Sequence, residues 1–494
     1  MTPLLTFSEA ALTLLALLMV FFYFWKTRKD PRYPPGPTPI PFFGNVLQLG
    51  RDPSKVMQNW ADKYGPIYSI RMGNEDTIVV NDSKLVKELF SNASSTGRPS
   101  NPILRVFGGG LGIVQAQGNT WEAQRRFTLR KLRDVGVLKS SIEGFLVEEA
   151  STLIKYLERN VGKSISGKGL FNGPVVNSLW RIVSGETNDW DSPVKPEILK
   201  RAENCTRTVS SGLMFAPFLR HIAPGFFGWT EWVKSLQSYS ELTNQAIENH
   251  ARNLDPNNPQ DFIDHYLVEM QDTTDQSSTF YRENGELNLR AVAADLFVAG
   301  SETSSATLAF AILFLLLNKE AQRKAQLELD QVVGSFSQIS LSHKTSLPYT
   351  EAIVLETLRL STIAPFAIPH RMLEDTMFHG YLLPKDVTIM SDLHAIHHDP
   401  KIWGPDVNSF RPERFLNQTE TQISRHESLI SFGAGRRSCL GEGLAKDTLF
   451  LFIASILHKF NIEQDPQNPV FKVETQFGMV VEPKPFKFMV SLRN

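Results

Sequence analysis

Residues Ala10 to Trp25 read AALTLLALLMVFFYFW without a charge. With Leu4, Leu5 and Phe7 the apolar stretch reaches about 20 residues, enough to cross a bilayer core. Glu9 is the only charge inside it and sits near one end, within reach of headgroups. A cleaved signal peptide would carry basic residues ahead of a shorter apolar core and a small-residue cleavage site. Here no basic residue precedes the run and bulky aromatics close it, so residues 1–25 are expected to be an uncleaved transmembrane signal anchor. Lys26, Arg28, Lys29 and Arg32 follow, and the positive-inside rule places the remainder in the cytosol. Pro34, Pro35, Pro37, Pro39 and Pro41 exclude a helix and favour an extended strut, a plain linker being the simpler alternative. Residues 26–44 thus read as a basic stop and proline-rich hinge, and 45–494 as one large body.

That body has ample material for a core. The 494 residues include 33 Phe and 8 Trp, which excludes a disordered chain. Lys+Arg 51 against Asp+Glu 52 gives net charge −1, unlike the basic footprint of a nucleic-acid binder. The two cysteines, Cys205 and Cys439, are too few for a disulfide framework or a four-cysteine zinc site, and suit a reducing compartment. Helical periodicity predicts helices over 83–91, 120–132, 140–160, 236–253, 289–317, 319–333, 349–360 and 443–458. Strand-like runs fall at 67–72, 77–80, 388–391 and 486–491. The expected class is mainly α with small β-sheets.

Residues 431–443 read SFGAGRRSCLGEG. Glycine at this density lets backbone approach a ligand closely. An amphipathic helix follows, so Cys439 lies just ahead of a helix N-terminus, with Arg436 and Arg437 nearby; both features favour a thiolate. Such a thiolate suits a soft metal centre, including haem iron. On residue chemistry alone, a buried inert cysteine remains the simpler reading.

The full pattern Phe432-x-x-Gly435-x-Arg437-x-Cys439-x-Gly441 resembles the haem-binding loop of the cytochrome P-450 monooxygenases. That family's other landmarks occur in order along nearly the whole chain. Glu356-x-x-Arg359 is similar to the family's ExxR, whose side chains share a helical face. Arg411-Pro-Glu-Arg414-Phe415 is similar to its PERF segment, so the resemblance implies a buried Glu356–Arg359–Arg414 network bracing the haem loop. Trp121-x-x-x-Arg125, His370 and Arg437 resemble the family's propionate contacts, with Arg371 a weaker candidate; ordinary core packing is the alternative for Trp121. Ala299-Gly300-Ser301-Glu302-Thr303-Ser304 resembles the oxygen-activation motif. It implies that Ala299 and Gly300 leave room for dioxygen and that Thr303 and Glu302 deliver protons. A helix merely bent by Ser/Thr back-bonding is the competing account. His394, His397 and His398 suggest a metal site by spacing, but their segment is structural in the family. Arg125, Arg126, Arg130, Lys131 and Arg133 form either a solvated face or a docking site for an acidic electron donor.

The resemblance implies a single P-450 fold behind a membrane helix, haem b held by Cys439, and insertion of one oxygen atom from dioxygen into a lipophilic substrate. NADPH and flavins would act only through NADPH–cytochrome P-450 reductase, with cytochrome b5 a further partner, at the cytosolic face of the endoplasmic reticulum membrane. By the same analogy the substrate lining falls at 102–113, 209–218, 293–303, 363–368 and 476–480, all apolar segments. TLRKLRDVGV at 128–137, FLRHIAPGF at 218–226 and DFIDHYLVEM at 261–270 are similar to insect members of the microsomal animal group. These imply epoxidation of farnesoic acid or methyl farnesoate in juvenile hormone biosynthesis. Arg105 is the candidate partner of the acid, a solvent-facing arginine being the alternative. The rival substrates are an ecdysteroid or a xenobiotic. The rival classes are a reductase-independent haem-thiolate isomerase and a non-catalytic haem or lipid binder, against both of which Glu302-Thr303 argues.

Overall fold

The computed structural model describes residues 13–14 and 29–494, except 42, 51–52, 101–104, 106–107, 137–139, 193–195, 202–212, 214–216, 335–336, 479 and 494. The expected membrane anchor, apart from Thr13 and Leu14, lies outside the described residues, as does Cys205.

The helices that shape the body are α1 (Pro53–Tyr64), α2 (Ser83–Ser91), α3 (Gly118–Asp134), α4 (Ser140–Arg159), α5 (Asn172–Ser184), α6 (Trp229–Asn253), α7 (Phe262–Asp272), α8 (Arg282–Leu317), α9 (Lys319–Val332), α10 (Pro348–Ser361), α11 (Leu393–His397) and α12 (Glu442–Lys459). The strands are β1 (Ile67–Met72), β2 (Glu75–Val80), β3 (Ile165–Ser166), β4 (His370–Arg371), β5 (Thr376–Phe378), β6 (Tyr381–Leu383), β7 (Thr388–Ser391), β8 (Phe460–Gln464), β9 (Thr475–Phe477), β10 (Val481–Pro483) and β11 (Lys487–Leu492). They form small separate sheets of order β1-β2-β7-β4, β3-β11-β8, β5-β6 and β9-β10. In the first, β1 and β2 pair antiparallel from Ile67↔Val80 to Met72↔Glu75, turned by Gly73 at φ +62, and β2 runs parallel to β7.

Helix α8 organises the rest. It is apolar all round, which marks a core helix. Its length and hydropathy would also allow a membrane crossing, yet 83% of its most apolar window is buried inside the protein. Helices α4, α5, α10 and α12 pack with it into the main core, with Phe297, Leu308, Ile353 and Phe452 at its centre. A second core fills the space between the β1-β2-β7-β4 sheet and α2. Local signals set the helix ends. Asp82 accepts from the Lys84 and Leu85 N–H groups at the start of α2, and Asp261 from Asp264 N–H at the start of α7. Pro348 opens α10, and Thr362 closes it in the left-handed region at φ +35.

Expected and observed elements agree most closely where periodicity is strong. Four of these helices were not anticipated: α1, α5, α7 and α11. Helix α5 begins Asn-Gly-Pro, which reads as a turn, α11 has only five residues, and α1 and α7 are short. Helices α6 and α8 each begin seven residues earlier than expected; the added residues are mostly polar in α8, whereas in α6 they include Trp229 and Trp232, which pack in a small cluster of their own. The proline-rich segment runs along β1: Ser69 donates from its N–H to Pro35 O at 2.7 Å and from its hydroxyl to Pro34 O at 2.8 Å. A β-carbon on Gly36 would lie 1.8 Å from the Ser69 carbonyl oxygen, so only glycine fits there.

Candidate functional site

The glycine-rich loop places Cys439 through a few strict contacts. Gly433 and Gly435 take φ of +73 and +70, and a β-carbon on Gly435 would lie 2.0 Å from Phe90 O at the end of α2. Cys439 donates its N–H to Phe432 O at 2.9 Å, and α12 starts three residues later. The thiol is exposed on one side while protein encloses the others. Its pKa is raised, first by burial and then by Glu442, against the Gly441 N–H and Arg125, which lower it. The Gly441 N–H at the helix start and Arg125 act in the direction expected for a thiolate, while removal from water and the acidic first residue of α12 oppose them.

Beside this loop the fold gathers positive charge. Arg437 is buried, donates to Thr96 O, Ile113 O and Ala116 O, and stacks over Trp121 at 4.0 Å. Arg125 donates to Ser438 O at 2.8 Å. Arg98, which sequence reasoning missed, is buried and donates to Val114 O, Ile368 O and Pro369 O. An arginine between Gly97 and Pro99 carries no motif; only its burial reveals it. Burial first, and then the other arginines, holds Arg98 down to about 9 and Arg437 down to about 8. The carboxylate acting on Arg98 is Asp295 of α8, which accepts from Ile113 and Val114 N–H and is itself pushed up to about 7 by burial. His370 stacks on Phe90 and gives Nδ1–H to Ser95 O at 2.7 Å. Burial and Arg98 hold its pKa well below the usual value, so its Nε2 is an acceptor; a carboxylate beside it would favour the doubly donating form. Trp121 Nε1 is buried with no hydrogen-bond partner among the described residues.

Three crowded guanidiniums and an unused indole donor fit a ligand with two carboxylates, and the exposed thiol fits an axial iron ligand. The donor set is therefore that of haem. Arg371 is not part of it. Its side chain bonds Arg98 O, Gln117 and Asp386, turned away from the cluster.

The loop is braced from behind. Arg359 binds Glu356 bidentately at 2.7 Å through both contacts, Arg414 reaches the same carboxylate at 3.4 Å, and Arg411 N–H donates to it at 3.0 Å. All three side chains are buried. Arg359 also donates to His397 O. His397 accepts the Ile430 N–H at Nε2, so its Nδ1–H faces Thr362 Oγ1 at 3.1 Å. A neutral histidine thus ties α10 to the start of the Cys439 loop. His394 and His398 stack at 4.1 Å, which leaves the three histidines as packing rather than a metal site. Among the described residues the cluster with metal-like spacing is His250, Asp261 and Asp264. There His250 donates to Ala246 O and Asp261, and its pKa is raised to about 9, chiefly by the bond to Asp261. It is an ion-paired cation, not a metal ligand.

On α8, Ala299 is exposed and Thr303, one turn on, is half-exposed, although the helix around them is buried. These two line an internal space. Thr303 donates to Ala299 O at 2.7 Å, and Ser305 and Thr307 bond back in the same way. The back-bonding alternative is thus present, and it leaves Thr303 offering lone pairs to the space. Gly300 serves packing: a β-carbon there would lie 2.8 Å from Leu179 of α5. Glu302 is buried, its Oε2 has no partner among the described residues, and burial raises its pKa to about 8. Arg105 is exposed; its neighbours 101–104 and 106–107, like 209–212 and 214–216 of the expected lining, lie outside the described residues. Arg126, Arg130 and Arg133 are exposed along α3, with Arg130 3.5 Å from Glu269.

Comparison with known proteins accords with this geometry. The family model described as Cytochrome P450 matches residues 34–490. A Bombyx mori protein named farnesoate epoxidase is 33% identical over 494 residues, covering 98% of both chains. Cytochrome P450 2J5 of Mus musculus is 32% identical over 98% of this chain and 97% of its own. Cytochrome P450 2B4 of Oryctolagus cuniculus is 33% identical over 91% of this chain and 92% of its own.

Proposed function

The chain belongs to the cytochrome P450 family and is a monooxygenase with a cysteine-ligated haem, and on that premise we propose that it epoxidises farnesoic acid or methyl farnesoate, taking electrons from NADPH–cytochrome P450 reductase. In this reading residues 1–25 anchor it in the endoplasmic reticulum membrane, the strut at 34–41 orients the body in the cytosol, and cytochrome b5 is a second electron donor.

The observation that carries the cofactor assignment is the surplus of buried guanidinium next to an exposed cysteine thiol. Bound haem supplies the oxygen-activating chemistry, and a cysteinate ligand directs electron density toward the iron. The chain's own residues do the rest. Cys439 would hold the haem iron; Phe432 carbonyl fixes its backbone and Gly435 lets the loop close on α2. Trp121, Arg98, Arg125, His370 and Arg437 would hold the two carboxylates of the macrocycle. Glu302, held neutral near pH 7, is a proton donor, and Thr303 accepts from one neighbour and passes a proton on once its hydroxyl turns from Ala299 O.

The segments taken by analogy as the lining include the apolar Ile113, Val298, Ile363 and Phe366, a composition suited to a lipophilic substrate. The full-length match to the Bombyx mori protein supports the farnesoid choice. The vertebrate relatives match at similar identity, which keeps an ecdysteroid or xenobiotic substrate as the second reading. The deciding experiment incubates the reconstituted enzyme with reductase, NADPH and each farnesoid. An epoxide at the terminal double bond is expected. Oxidation of a xenobiotic or ecdysteroid panel with no farnesoid epoxide would transfer the assignment to the second reading.

A further inference from the structure

Residues 112–116, just ahead of α3, are held by α8 and by the arginine cluster at once. From α8, Asn288 Oδ1 accepts the Gly112 N–H at 3.3 Å, and Asp295 Oδ2 accepts the N–H groups of Ile113 and Val114 at 2.7 and 2.9 Å. Gly112 has φ +76, and a β-carbon there would lie 2.5 Å from the Asp295 carboxylate, so the segment meets α8 more closely than any side chain allows. The carbonyls of the same stretch face arginines. Arg98 Nε donates to Val114 O at 2.9 Å, and Arg437 donates to Ile113 O at 3.0 Å and to Ala116 O at 2.6 Å. Gln115 therefore sits in a turn that wraps the Arg437 guanidinium, which also stacks over Trp121 at 4.0 Å. Arg437 spends three N–H groups on Thr96 O, Ile113 O and Ala116 O, and the rest remain for a ligand.

Gln115 is 3% exposed, and its Nε2 has no hydrogen-bond partner among the described residues. A buried amide N–H₂ with nothing to donate to is costly, and the bonds on either side of residue 115 stop its backbone from backing away toward water. Trp121 Nε1, at the same guanidinium, is the second buried donor in this condition. Two neutral donors and spare guanidinium N–H groups in one place call for a partner that only accepts and that carries negative charge. We propose that Gln115 is a carboxylate-binding residue, its Nε2 donating to the carboxylate that Arg437 and Trp121 hold. An amide suits the position because Arg98, Arg125 and Arg437 already repel one another, and a further cation would add to that repulsion, whereas an amide adds a donor without charge. Its place beside Arg437 favours a haem carboxylate as the source; the acid group of a substrate such as farnesoic acid offers the same chemistry. The inference deepens the haem reading and rests on it. The parent's ferrous–CO spectrum, which tests Cys439 and not Gln115, separates a failure of that reading from a failure of this one.

The test variant is Gln115→Met, which keeps the length and approximate volume of the side chain and removes the donor. Three quantities are read on the full-length haem-loaded enzyme: the rate of haem transfer to excess haem-scavenging apoglobin, the propionate bending bands in the resonance Raman spectrum, and the affinities for farnesoic acid and methyl farnesoate from Soret titrations. Losing a hydrogen bond to a charged group should speed haem transfer about ten- to a hundredfold and shift a propionate band, with acid and ester bound as before. Gln115→Asn, an amide on a shorter arm, should fall between the parent and Gln115→Met, and Gln115→Glu, an acid facing a carboxylate, should lose haem faster than either. Weaker binding of the acid by the same factor, with the ester and haem transfer unchanged, supports the proposal with the substrate's carboxylate as the source. Gln115→Leu repeats the comparison if the methionine variant fails to fold. A haem-transfer rate and an acid-to-ester affinity ratio within about twofold of the parent, with unshifted propionate bands, overturn the proposal and leave the amide as packing.

Discussion

Glu356 is the most demanding position in the fold, and its neutralisation gives a sharp prediction. The carboxylate receives two bonds from Arg359, one from Arg414 and one from the Arg411 N–H, all out of water. Glu356→Gln keeps the shape, removes the charge, and turns an amide N–H₂ toward a guanidinium that has only donors. Arg414 retains Asp406 at 2.9 Å, but Arg359 is left with carbonyl partners alone. Removing one partner of a buried ion pair costs about 3–5 kcal/mol. That is roughly two to four orders of magnitude in the folded-to-unfolded ratio. Domains commonly have a margin of about 5–15 kcal/mol, so little stability should remain. The loss should surface as low haem content per chain and early collapse of the ferrous–CO spectrum in a urea series, because the same network holds His397 and Ile430 at the start of the Cys439 loop. The double variant Glu356→Met/Arg359→Met removes both charges and should be less unstable than the sum of the single variants. A Glu356→Gln protein within about 1 kcal/mol of the parent, or a double variant that is strictly additive, would refute the reasoning.

The remaining predictions concern separate parts of the molecule. Cys439→His should abolish the red-shifted ferrous–CO Soret band, whereas Cys205→Ser should leave it intact; a retained band in Cys439→His removes the ligand assignment. Charge reversal at Arg126 and Arg130 should slow reduction by the reductase and flatten its salt dependence, since exposed charges are screened over about 8–10 Å; stopped-flow reduction insensitive to both would leave that face merely solvated. The raised pKa of His250, about 9, makes its bond to Asp261 fully stabilising below the unfolded value near 6.5 and lost as pH rises through about 9. Thermal melts should therefore fall across that window in the parent, and His250→Gln should flatten the fall. Arg105 is exposed, so Arg105→Ala should change KM for farnesoic acid and methyl farnesoate alike; a selective loss for the acid would place Arg105 at the substrate.

What could be read from the chain depended on whether the signal was local. The Cys439 loop lies within thirteen consecutive residues, so its pattern is legible even though Gly435 packs on Phe90 and Arg437 bonds carbonyls at 96, 113 and 116. The Glu356–Arg359 pair was legible as a helix spacing, but its meaning depended on Arg414, which sits 55 residues after Arg359. Arg98 had no local mark at all: its partners are carbonyls at 114, 368 and 369, brought together only by tertiary folding. Helix α5 was missed although Val175, Val176, Leu179, Trp180 and Val183 keep helical spacing, because the Asn-Gly-Pro at its start reads as a turn. Electrostatics was the least legible property. Position before a helix favours a thiolate at Cys439, yet burial raised its pKa; a carboxylic acid in an apolar helix could be named at Glu302, but not the depth of burial that raises it. Motifs therefore report which atoms the chemistry uses, while the protonation of those atoms is decided by neighbours far along the chain.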